Sequence, residues 1–141
     1  MNNINPINLD KRPDKPTEYI IPAEERNTMI YVTVKIELDS KKWQYAAAHN
    51  VLYRGNDIFP NKIPEPVDLK IDRAKDADQH KLFLSSHVSR FRDGADDDTP
   101  AIVKYTLTIE AGDKLLDTFE KEGNVNNPSN FFSLIIFKLG S

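Results

Sequence analysis

The chain has 141 residues, 39% of them hydrophobic and 29% charged, which suits one water-facing domain able to close its own core. With no cysteine it has no disulfide, thiolate metal ligand or thiol nucleophile. A formal net charge of −3 leaves no basic footprint for nucleic acid, because Arg73, Arg90 and Arg92 stand among Asp93, Asp96, Asp97 and Asp98.

Residues 1–27 read as an extended arm. Pro6, Pro13, Pro16 and Pro22 fix φ and remove donors, and no helical or strand period runs between them. The arm's one concentrated apolar group is Tyr19-Ile20-Ile21, the expected point of contact with a partner. Its start carries no apolar core of signal-peptide length, so the expectation is cytoplasmic residence, or export without a cleavable N-terminal signal.

The domain proper is expected over residues 28–141. In residues 29–38, Ile30, Val32, Val34, Ile36 and Leu38 alternate with Tyr31, Thr33, Lys35 and Glu37, the period of a strand with one buried and one wetted face. Residues 40–55 fit two templates. A helix would collect Trp43, Ala46, Ala47, Asn50 and Val51, whereas a strand would align Trp43, Tyr45, Ala47, Val51 and Tyr53. Consistency with the β elements on either side favours a strand over 43–48.

Pro60, Pro64 and Pro66 make 57–66 an irregular connection. Val67, Leu69 and Ile71 form a short strand, and a charged loop over 72–80 leads to a strand at 81–91 with Leu82, Leu84, Ser86 and Val88 on one face. Residues 102–110 alternate again, Ala111-Gly112-Asp113 is a tight turn, and 114–121 return as a strand rather than as a helical turn on Leu115, Leu116 and Phe119. The final run, 131–139, is apolar on both faces, which places it centrally or under a cover. About seven short strands with turns at this spacing predict an all-β fold, a single antiparallel β-sandwich with at most one short helix.

Chemistry is sparse. His49, His80 and His87 read as exposed strand histidines, and Ser86 and His87 point to opposite faces, so no nucleophile–base pair assembles from them. Known catalytic motifs are missing, and no enzyme activity or cofactor is expected. Two acidic loops, Asp72, Asp76 and Asp78, then Asp93, Asp96, Asp97 and Asp98, bracket one strand and should lie at opposite ends of it, which disfavours a shared calcium ion. Asn124, Asn126, Asn127 and Asn130 suit either loop turns or sugar hydroxyls. The expectation is therefore a non-enzymatic binding or assembly module, a structural oligomer subunit that associates with itself or another protein through its arm and apolar strands. The alternative is a calcium-assisted carbohydrate- or lipid-surface-binding module using the acidic and asparagine-rich loops.

Overall fold

The computed structural model describes residues 3–38, 43–92, 102–124 and 129–141. It is a two-sheet β-sandwich. The strands are β1 (Ile7–Leu9), β2 (Thr17–Ile21), β3 (Met29–Leu38), β4 (Trp43–Tyr53), β5 (Asn56–Asp57), β6 (Leu69–Arg73), β7 (Lys81–Arg92), β8 (Ile102–Ala111), β9 (Lys114–Asn124) and β10 (Ser129–Leu139). A 3-10 turn covers Ala23–Glu25, and the short helix α1 (Ala74–Ala77) sits between β6 and β7. The larger sheet runs β1-β10-β7-β4-β5, with β2 also on β10; the smaller runs β6-β3-β8-β9.

The alternation read from the sequence decides which side chains meet between the sheets. Ile30, Val32, Val34 and Ile36 of β3, and Val103, Tyr105, Leu107 and Ile109 of β8, are all buried. They face Leu82, Leu84, Ser86 and Val88 of β7 and Phe131, Ile135 and Phe137 of β10, which are equally buried. At the centre the Tyr105 ring stacks on Phe131, centroids 4.7 Å apart and planes within 6° of parallel. β10 is a central strand, flanked by β7 on one side and by β1 and β2 on the other. That is the place its doubly apolar sequence requires.

The N-terminal residues depart from the expected arm. β1 pairs antiparallel with β10 at Ser133–Phe131, and β2 pairs parallel with it from Ile135 to Leu139. Tyr19 is 2% exposed and Ile21 0%, in the same core as Ile30 and Val34. β1 and β2 thus share a sheet and a core with the residues that follow. The prolines bracket these short strands instead of interrupting them, since Pro6, Pro13, Pro16 and Pro22 all lie outside the paired residues. β1, β2 and β5 raise the strand number among the described residues to ten, against the expected seven.

Side-chain stitches lock one sheet to the other. The Tyr19 hydroxyl donates to Asp117 of β9 at 2.5 Å, and the Tyr53 hydroxyl of β4 donates to Asp72 of β6 at 2.9 Å. Tyr45 of β4 donates to Glu65 in the connection before β6 at 2.5 Å. Burial and a neighbouring carboxylate both disfavour a phenolate, so the Tyr45 hydroxyl is pushed up to about 12, and those of Tyr19 and Tyr53 also lie well above the usual range. These bridges stay intact through neutral pH.

Candidate functional site

A β-sheet ends in rows of unpaired backbone N–H and C=O groups, and the way each row is guarded shows where another strand can add. On β2, the Asn3 side chain imitates a neighbouring strand: its Oδ1 accepts the Ile20 N–H at 2.9 Å and its Nδ2 donates to the Ile20 carbonyl at 3.3 Å. On β9, Lys114, Asp117, Glu120, Lys121 and Glu122 charge the strand, a bulge interrupts its pairing with β8, and Asn5 Nδ2 donates to the Glu120 carbonyl at 3.0 Å. β6 has only five residues, three of them charged, and a register shift against β3. Where β6 stops, Val34 N–H donates to the Pro66 carbonyl, and the Lys35–Glu37 pair at 3.2 Å follows.

β4 differs. It pairs with β7 in unbroken register from Trp43 to Tyr53. Among the described residues its other edge is covered at one end: β5 takes Leu52 and Tyr53, Ile58 N–H donates to the Val51 carbonyl, and His49 N–H donates to the Lys62 carbonyl. Since His49 N–H points away from β7, the same-parity residues Ala47 and Tyr45 also point their N–H and C=O outward. Among the described residues no backbone group bonds to them there. The segment Trp43-Gln44-Tyr45-Ala46-Ala47-Ala48 holds no charge, proline or glycine. Ala46 is exposed, and Tyr45, Ala47 and Ala48 are half-buried. A long, uncharged and bulge-free edge is the kind that accepts a further strand.

The residues singled out from the sequence are mostly occupied within the fold. Of Tyr19-Ile20-Ile21 only Ile20, 40% exposed, faces outward. Tyr19 sets its ring edge-on to Phe119 and Phe137, and the Ile21 carbonyl accepts the Gly140 N–H. They are core because β2 completes the sheet beside β10. Asp72 accepts from Tyr53 and from the Arg73 N–H, Asp78 accepts from the Leu139 N–H at 2.8 Å, and Asp76 is exposed. Asp93, Asp96, Asp97, Asp98, Asn126 and Asn127 lie outside the described residues. Asn124 ends β9 opposite Ile102, and Asn130 Oδ1 lies 2.8 Å from His87 Nδ1 on the outer face. Among the described residues no three His, Asp or Glu side chains gather closely enough to hold a metal ion. An open depression of 390 Å³ lined by Tyr31, Asp68, Glu110, Gly112 and Asp113 is the acidic feature that sequence spacing missed, because it joins three separate elements.

His49 corrects one expectation: it is 1% exposed, not a surface histidine. Its Nδ1 lies 2.6 Å from Ser86 Oγ, which in turn lies 2.9 Å from the Tyr105 hydroxyl, a polar chain crossing from β4 through β7 to β8. Burial lowers the imidazole's affinity for a proton, partly offset by the Glu65 carboxylate. Tyr105 is pushed up to about 12, mainly by burial. The two-residue period through Tyr45, Ala47 and Val51 also passes through His49, so its inward aim was legible. Ser86 is likewise 1% exposed and has a partner on each side, so the chain joins the sheets and presents no hydroxyl to a substrate.

Comparison with protein-family models, with curated proteins and with solved structures finds no match to this chain. No helix among the described residues is long and apolar enough to cross a membrane. The fold defines the class, an all-β sandwich, and among the described residues the 43–48 edge of β4 has no backbone partner.

Proposed function

We propose that this chain is a non-enzymatic binding or assembly module that takes an extended strand of a protein partner along residues 43–48 of β4. The single observation that carries the reading is the contrast between edges. Asn3, the charged β9 and the short β6 blunt three of the others, while among the described residues no backbone group pairs with the outward N–H and C=O groups of Tyr45 and Ala47 on a bulge-free strand. Backbone pairing would supply affinity there, and the small side chains of Ala46, Ala47 and Ala48 leave room for a partner's alternate residues. The contact route differs from the one expected of Tyr19 and Ile21, which belong to the core.

The test is panning of a displayed library of random eight-residue peptides against the full chain, followed by amide hydrogen exchange. Selected peptides are expected to slow exchange at Tyr45 and Ala47, and to be lost on Ala47→Pro. That substitution removes an N–H directed away from β7, a position where an edge strand tolerates proline. Peptides that bind with no protection of these two amides, or no selected peptide at all, would refute the reading.

A further inference from the structure

The unguarded edge of β4 also suits one particular occupant. Resting on the strand-addition reading above, we infer that it pairs antiparallel with the same edge of a second copy, joining two six-stranded sheets across a twofold axis.

Four observations on this strand favour a second copy. A twofold axis brings the residues beside it near their own images, so a charge there would face a like charge; residues 43–48 carry none, in a chain with 29% charged residues. The register of β4 against β7 is unbroken, so no bulge interrupts the edge that would match itself. Its outward-aimed groups alternate correctly for self-pairing, and the N–H groups of Tyr45 and Ala47 on the two copies would make about four hydrogen bonds. Ala46, the exposed side chain beside the axis, is small, and Tyr45 and Ala47 pack against the core rather than on that outer face.

The Lys62 carbonyl, already bonded to His49 N–H, limits the free edge and thereby the register. The axis falls at Tyr45 or Ala46, and in either register Ala46 lies about 5–8 Å from its image. An interface of one short strand from each copy is small, so the dimer is expected to be weak and concentration-dependent, with a Kd of about micromolar or above.

The experiment is sedimentation equilibrium of the full chain from about 1 μM to 1 mM. The wild type is expected to shift from its 16.1 kDa monomer towards twice that mass. Ala46→Lys and Ala46→Glu should each weaken the dimer about tenfold at low salt, since each places like charges across the axis. An equimolar mixture of the two variants should recover wild-type affinity or better. Ala46 is exposed, so both variants keep the fold, which their melting curves check. A wild type that stays monomeric throughout would overturn the inference. So would a dimer indifferent to both charges, or variants that fail to rescue each other. If the chain is monomeric yet selected peptides protect Tyr45 and Ala47, self-pairing fails while strand addition stands. If neither occurs, both fail.

Discussion

Truncating Ile21 tests whether the N-terminal strands belong to the cooperative core. Ile21 is fully buried at 0% exposure, while its neighbour Ile20 on the opposite face is 40% exposed. Ile21→Ala removes three buried carbons, about 2.4 kcal/mol at roughly 0.8 kcal/mol each. Partial collapse of the site adds a cavity term, bringing the total to about 3–4 kcal/mol. Ile20→Ala, mostly a surface change, should cost about 0.5 kcal/mol or less. Urea unfolding followed by tryptophan fluorescence and far-UV circular dichroism provides the assay. With a slope of about 2 kcal/mol/M, Ile21→Ala should lower the midpoint by about 1.5–2 M, with both probes still coincident. Tyr19→Phe should fall between the two, because it removes a hydrogen bond to the Asp117 carboxylate and leaves the edge-on rings of Phe119 and Phe137 in place. Equal and small effects from Ile20 and Ile21 would show that β2 lies outside the cooperative unit and would refute this assignment.

The buried histidine predicts an acid-sensitive stability. His49 in the folded chain takes a proton only below its ordinary value, so the unfolded chain binds more protons as pH falls below about 6.5. Its contribution to stability is therefore present above that pH and declines as pH falls towards the folded value, by at most about 1.4 kcal/mol per pH unit. His49→Gln should flatten this part of the stability–pH curve measured by urea unfolding, and an unchanged slope would contradict it. Val34→Asp should abolish cooperative melting in differential scanning calorimetry, since a carboxylate would enter a layer where Val34 is 2% exposed. Thr33→Val should cost only about 1 kcal/mol in the same assay, by removing the acceptor of the Asp68 N–H.

The sequence alone determined the interior of this molecule. Period-two alternation in β3, β7 and β8 identifies the buried residues, because a strand whose one face is dry must repeat its apolar residues at every second position. The doubly apolar run of β10 announced a central strand for the same reason. Strands of three and five residues, however, are too short to show a period, so residues 1–27 read as a proline-rich arm in the sequence, and only pairing with β10 makes β1 and β2 part of the sheet. The candidate site was less legible still. Alternation within β4 fixes which way Tyr45 and His49 point, but not which neighbour lies beyond the strand. That Asn3 seals one edge, that Lys62 stops just short on another and that Ser86 meets His49 and Tyr105 are relations between residues distant in sequence. Only the packing of two sheets decides them, because edge and centre are properties of a strand's neighbours and not of its own residues.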